Sequence, residues 1–155
     1  MTTKKKIVFV VNPISGTQGK RAILKWIDER INRTLYDYTI VKTQYAGHAE
    51  KIAATAAKEK VDIVVAIGGD GTINHMANEI SGLNVPCDIY VYKAGTGNDF
   101  LRDVNDEIDE DGLLLINKYI KHLPKVTING KTTLFINGIG FGIDGQVCEV
   151  ADNMK

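Results

Sequence analysis

Asp70 is the residue whose type and setting first suggest chemistry. It stands in Ile67-Gly68-Gly69-Asp70-Gly71-Thr72, directly after the apolar run Asp62-Ile63-Val64-Val65-Ala66. Three glycines in so short a span strip the side chains from the end of a predicted strand. Backbone N–H groups in such a loop are free to face an anion, and a helix opening at Thr72 and Ile73 adds the positive end of its dipole. The anion that suits this arrangement is phosphate, specifically the phosphates of a nucleotide. A carboxylate beside phosphates is unfavourable unless it has a task. Two tasks fit Asp70: holding Mg²⁺, or accepting a proton from an attacking hydroxyl.

Three more glycine-bearing segments end predicted strands. Asn12-Pro13-Ile14-Ser15-Gly16 follows the first, Thr43-Gln44-Tyr45-Ala46-Gly47-His48-Ala49 the second, and Gly95-Thr96-Gly97-Asn98-Asp99 the fourth. In an open parallel sheet, ligands bind outside the carboxyl ends of the strands, so these loops are expected to gather on one edge. Lys20, Arg21 and Arg102 are the nearest cations by sequence. Two familiar phosphate motifs do not apply. Gly16-Thr17-Gln18-Gly19-Lys20-Arg21 lacks the spacing and the final hydroxyl of a P-loop. Gly140 to Gly145 spells GxGxxG, but it follows a hairpin rather than opening a strand–helix unit.

The elements that must carry these loops are legible from pattern. Lys6 to Val11 is a continuous apolar, β-branched run closed by Asn12-Pro13, which reads as a buried parallel strand. Ile23, Leu24, Trp26, Ile27 and Ile31 recur at helical spacing. Tyr38 to Thr43 reads as a strand, and the Ala-, Glu- and Lys-rich stretch Gly47 to Lys60 as a helix. Val61 to Ile67 is a strand, Ile73 to Ile80 a helix, and Asp88 to Tyr92 a strand. Gly112 to Leu123 is expected to form an amphipathic helix packed on the sheet and ended by Pro124. Beyond it, Asn129-Gly130 joins two short strands, the strongest short hairpin signal. The order predicts an α/β fold: a Rossmann-like parallel sheet with helices on both faces. The first strands of an incomplete β-rich second domain follow. The expected division is 1–124 for the nucleotide-binding α/β domain and 125–155 for the start of the β-rich one.

Composition narrows the class. The chain has 155 residues, 44% hydrophobic and 25% charged, which suits a globular domain with a true core. Net charge is zero, which argues against nucleic acid as the main partner. Cys87 and Cys148 form no metal-ligand spacing with His48, His75 or His122 and read as thiols in a reducing compartment. No apolar stretch approaches the ~20 residues of a spanning helix, and the run Ile7 to Val11 is too short for a secretory signal. A cytoplasmic protein is expected.

In order along the chain, NPISG, TxxxGHA, GGDGTxN and GTGNDFxR resemble the catalytic domain shared by diacylglycerol kinases, sphingosine kinases and related bacterial lipid kinases. The resemblance covers roughly residues 6 to 150. It implies transfer of the ATP γ-phosphate to a lipid hydroxyl, with ATP and Mg²⁺ as cofactors. Asn12, Pro13, Ile14, Ser15, Gly16, Thr43, Gly68, Gly69, Asp70, Gly71, Thr72, Ile73, Asn74 and Thr96 match the positions that hold ATP, and Asp70 matches the motif aspartate. The sequence departs from the family at His75, where an acidic residue is usual, at Lys93, where a proline is usual, and at Thr127, where an aspartate is common. The resemblance also implies a longer chain, with much of the lipid site in the second domain. This chain is then expected to bind nucleotide weakly and transfer little phosphate alone. A lipid substrate would be met by peripheral contact at a membrane surface, and unpaired strand edges would permit a homodimer. Two other readings fit the same glycine loops: an NAD kinase or other GGDG phosphotransferase, and a non-catalytic nucleotide-binding module.

Overall fold

The computed structural model describes residues 3–12, 20–45, 47–81, 87–94, 97–139 and 146. In chain order these form β1 (Lys5–Val11), α1 (Lys20–Arg30), β2 (Tyr36–Lys42), α2 (His48–Lys58), β3 (Ile63–Gly68), α3 (Asp70–Ile80), β4 (Asp88–Lys93) and α4 (Asp99–Asp103). A 3-10 turn (Asn105–Glu107), β5 (Leu113–Leu115), α5 (Asn117–Ile120) and the strands β6 (Lys125–Ile128) and β7 (Lys131–Leu134) complete the order. The sheet runs β2-β1-β3-β4-β5. Its first four strands are parallel, and β5 closes one edge in antiparallel pairing.

The apolar runs read as buried strands do lie at the centre. Alternate residues of a strand face opposite sides of a sheet, so β1 and β3 feed two cores at once. Val10, Val64, Ala66, Ile89 and Val91 pack against α2, α3 and α4 through Ala53, Ile73, Met76 and Leu101. Ile7, Phe9, Val11, Val65 and Ile67 pack on the other face against Ile23 and Ile27 of α1. Trp26 of that helix lies over Tyr92, with ring centroids 4.5 Å apart. The helices therefore cover both faces, as the alternation of elements predicts. Cys87 is buried at the start of β4, and burial pushes its thiol up, which suits an inert core residue.

One expected element is different. Gly112 to Leu123 is not one amphipathic helix. Leu113–Leu115 is β5, and only Asn117–Ile120 is helical. The reason is the edge of β4, whose backbone groups need partners once buried. Leu113, Leu114 and Leu115 pair with Tyr92, Val91 and Tyr90. Gly112 takes φ +80°, and the Asp109 carboxylate accepts from the N–H groups of Asp111 and Leu113, turning the chain into that strand. Asn117 then extends the pairing by side chain: its Oδ1 accepts from Ile89 N at 2.7 Å, and its Nδ2 donates to Cys87 O at 2.9 Å. Tertiary demand outweighs leucine's helical preference here.

The predicted hairpin is present. Asn129 and Gly130 both have positive φ, 50° and 77°, as a two-residue turn of this type requires. β6 and β7 form a separate two-stranded sheet. Asn78 of α3 fastens it to the larger sheet's helical layer. Its Oδ1 accepts from Leu134 N at 2.7 Å, and its Nδ2 donates to Leu134 O and Asn74 O, both at 2.9 Å. The amide thus pairs with β7 as a neighbouring strand would. Asn78→Leu should leave a buried N–H and C=O unpaired, costing about 1–3 kcal/mol. Hydrogen exchange at the Leu134 amide should accelerate while the central strands β1 and β3 stay protected. Unchanged exchange at Leu134 would show that the hairpin is held by other contacts.

Candidate functional site

Parallel register brings the strand ends together. Val11 pairs with Lys42 on one side and Ile67 on the other, and Gly68 pairs with Lys93. The stitching continues one residue beyond each strand. Asn12 N donates to Ile67 O at 3.3 Å, Thr43 N to Val11 O at 2.9 Å, and Ala94 N to Gly68 O at 3.2 Å. Asn12, Thr43, Gly69 and Ala94 therefore stand along one rim, at the carboxyl ends where such sheets bind ligands. Pro13, Ile14, Ser15, Gly16 and Thr96 lie outside the described residues.

α3 rises from the middle of this rim. Its N-cap is Gly69, in an extended conformation and without a side chain to bond the first turn. The first amides of a helix have no intrahelical carbonyl to bond, so Asp70, Gly71 and Thr72 present theirs at the rim. Ile73 is different: its N–H donates to Gly69 O at 3.2 Å, and its side chain is buried in the core. Asn74 lies one turn after Asp70, on the same side of the helix. Its Oδ1 is buried with no hydrogen-bond partner among the described residues.

The glycines of this loop answer to different constraints. A Cβ on Gly68 would fall 2.5 Å from Thr72 Oγ1 and 2.7 Å from Thr72 Cβ, so the strand-to-helix turn itself requires glycine. A Cβ on Gly71 would meet nothing within 4 Å. Protein packing thus gives no reason for Gly71 to lack a side chain, whereas an approaching ligand would. Gly97 belongs to the other loop, yet its Cβ would lie 3.3 Å from Asp70 Oδ2. The third and fourth strand-end loops meet at Asp70.

That meeting is made by hydrogen bonds. Asp70 Oδ2 accepts from Asp99 N at 3.0 Å, and Oδ1 accepts from Phe100 N at 3.1 Å. A carboxylate in the first turn of α3 therefore caps the start of α4. Each oxygen retains a lone pair for a cation or a hydroxyl. Asn98 is buried in the left-handed conformation, φ 55°, which asparagine tolerates better than most residues. Arg102 braces the loop from outside: its Nη2 donates to Gly97 O at 2.9 Å, and its Nη1 pairs with Asp99 Oδ1 at 3.0 Å. Its guanidinium is thereby engaged with its own loop. Arg21 is exposed on α1.

Beside Thr43 a groove of about 640 Å³ opens between α2 and β2. Val8, Val41 and Ile52 line it, and at the end nearest the rim Tyr45 and His48 stack at 4.6 Å. His48 Nδ1 accepts from Gln44 N at 3.1 Å, which fixes the ring against the backbone just after Thr43. Of the three departures noted in the sequence, His75 is exposed on α3 and Lys93 is exposed at the end of β4. Thr127 shares a hydrogen bond with Thr132 at 2.8 Å across the hairpin, away from the rim loops in sequence and in sheet. The bonds from Asp70 to Asp99 and Phe100 and the clamp of Asn78 were not foreseen from sequence. The only cue to the first was an acidic residue in each of two glycine loops.

Comparison with known proteins adds the following. The family model described as "Diacylglycerol kinase catalytic domain" matches residues 6–128. A protein of Bacillus subtilis (strain 168) called diacylglycerol kinase is 30% identical over 141 residues, covering 89% of this chain and 46% of that protein. A putative lipid kinase of Streptococcus pneumoniae serotype 4 is 32% identical over 122 residues, covering 74% of this chain and 41% of the relative. Among solved structures, a putative diacylglycerol kinase from Bacillus anthracis str. Sterne superposes with a TM-score of 0.58 at 27% identity, covering 72% of this chain and 39% of that one. The chain thus spans about half the length of the curated relatives it matches or less.

Proposed function

Because the chain belongs to the diacylglycerol kinase catalytic domain family, we propose that it is the nucleotide-binding part of an ATP-dependent lipid kinase, which transfers the γ-phosphate to a lipid hydroxyl. The observation that carries this reading is the meeting of two glycine loops at Asp70, beside the open first turn of α3. Amides of that turn would hold phosphate oxygens, with Asn12 and Thr43 further along the rim. The groove beside Tyr45 mixes apolar residues such as Val41 and Ile52 with polar and charged ones, and its stacked ring pair is suited to a purine base.

The residues fit Mg²⁺. It is a hard cation that takes oxygen ligands and is commonly held by one or two carboxylates together with substrate phosphates. Asp70 offers such a carboxylate, and the partnerless Asn74 amide oxygen one turn along the helix suits a cation or a donor. Bound there, the ion would neutralise charge developing on the transferred phosphoryl group. Asp70 would orient it, or else take the proton of the attacking hydroxyl. The chain's own part is positioning: it would set amides and a carboxylate around a triphosphate.

The whole protein would meet its lipid by peripheral contact at a membrane surface; among the described residues no helix is long and apolar enough to cross a membrane. Its expected place is the cytoplasm, at the membrane surface. We further propose the division at 124/125, with the β6–β7 hairpin starting a β-rich unit that holds much of the lipid site. On this reading the 155 residues alone bind nucleotide weakly and transfer little phosphate. Among the described residues β2 is an edge strand of the larger sheet; that edge and the β6 side of the hairpin would be the places for a homodimer to form.

The test is a titration of the isotopically labelled chain with MgATP, followed by amide chemical shifts. Shifts should appear together at Gly69, Gly71 and Gly97. A radiolabelled-ATP screen of the chain joined to a β-rich partner unit, with diacylglycerol vesicles in one arm and NAD in the other, should label lipid. Labelled NAD would favour the soluble-substrate reading. Shifts without labelling in either arm would favour a binding module, and no shifts at all would defeat the nucleotide reading.

A further inference from the structure

We propose that Lys93 is a phosphate-binding residue of this site, supplying the positive charge that holds the terminal phosphates of the nucleotide. The inference rests on the nucleotide-binding reading above and deepens it.

A nucleoside triphosphate brings several negative charges to a rim that already carries Asp70 and Asp99. The end of one helix supplies only about half a positive charge. Mg²⁺ offsets part of this charge but leaves the bound nucleotide anionic, so a side-chain cation would strengthen the hold, and few are suitably placed. Arg102 is taken up by Gly97 O and Asp99. Arg30 and Lys118 are paired with Asp111 and Glu107. Lys93 is exposed, and it makes no ion pair or side-chain hydrogen bond among the described residues.

Lys93 is the last residue of β4 and is paired in register with Gly68, the last residue of β3. Asp70 follows two residues later. Along β4, Ile89 and Val91 face the core shared with α2, α3 and α4, while Tyr90 and Tyr92 face α1. Side chains alternate along a strand, so Lys93 belongs to the side of Ile89 and Val91, where α3 and α4 begin. Its four-carbon stem therefore rises at the rim beside the junction made by Asp70, Asp99 and Phe100. Burying Lys93 would cost a charge, but at this exposed end it remains hydrated until an anion arrives.

The test compares ATP, ADP and AMP binding, each with Mg²⁺, to the wild-type chain, Lys93→Met and Lys93→Arg by calorimetry. Lys93→Met should weaken ATP about tenfold and leave AMP within about twofold, because the loss falls on terminal phosphates. Its ATP affinity should also depend less steeply on salt. Lys93→Arg should recover most of the loss, and thermal midpoints should be equal, as befits an exposed residue. Equal weakening of ATP and AMP, or no weakening, overturns the assignment of Lys93 while the site reading stands. If wild type itself binds none of the three, both fall together.

Discussion

Asp70→Ala is expected to uncouple the two glycine loops and to abolish nucleotide-dependent activity at once. On the proposed reading one carboxylate serves two purposes. It accepts from the Asp99 and Phe100 amides, and it would stand beside the bound phosphates. Removing it leaves two amides at the start of α4 without their acceptor, a loss of about 1–3 kcal/mol. The effect should be local. Hydrogen exchange at Asp99 and Phe100 should accelerate strongly, whereas amides in β1 and β3 should keep their protection. Asp70→Asn separates the two purposes. Its amide keeps one acceptor oxygen in nearly the same volume, so α4 should stay mostly ordered. It has neither the charge to orient Mg²⁺ nor the basicity to take a proton. In any form of the protein that transfers phosphate, Asp70→Asn should lower the rate by at least about 10²-fold, the lower range for loss of a positioned acid–base group. Wild-type exchange at Asp99 in Asp70→Ala would mean that the cap is not what holds the loop. Wild-type transfer by Asp70→Asn would mean that the carboxylate is structural alone.

How far this could be read beforehand depends on how local each determinant is. The buried strands were legible because a parallel strand covered on both faces writes itself as an unbroken apolar run, as in Ile63 to Ile67. The hairpin turn was legible because Asn129-Gly130 encodes positive φ in its residue types. The rim was legible because chain order and parallel pairing together force strand ends to one edge. Leu113 to Leu115 was misread as helix. Nothing local distinguishes a leucine run that completes β4 from one that coils on a sheet, and the deciding factor was a distant strand's need for hydrogen bonds. Asn78 and Asn117 were silent for the same reason: each uses a side-chain amide to imitate a strand for a partner far along the chain. Within the site, sequence showed that side chains had been removed. It did not show that separate glycines were removed for separate reasons.

Those reasons predict opposite responses to the same substitution. Gly68→Ala places a methyl 2.5 Å from Thr72 Oγ1, 2.7 Å from Thr72 Cβ and 3.0 Å from Thr72 Cγ2. Rotating the threonine moves the first and third atoms but not its Cβ, so backbone must yield, either in the central strand β3 or at the start of α3. Overpacking of this kind costs about 1–3 kcal/mol, which should appear as a lower denaturation midpoint. Adding Thr72→Ala should not restore it, because the Cβ remains. Adding Thr72→Gly should, less the ~1 kcal/mol that glycine costs in a helix. Gly71→Ala adds the same methyl into open space on a helical residue. There it should leave stability unchanged or raise it by up to about 1 kcal/mol. Yet it should weaken MgATP binding, because the methyl occupies the space over the first-turn amides. A Gly71→Ala variant that is as stable as wild type and binds MgATP equally well would show that no phosphate approaches this turn. Loss of stability at Gly68 with loss of binding at Gly71 would show one loop shaped at one end by its own fold and at the other by its ligand.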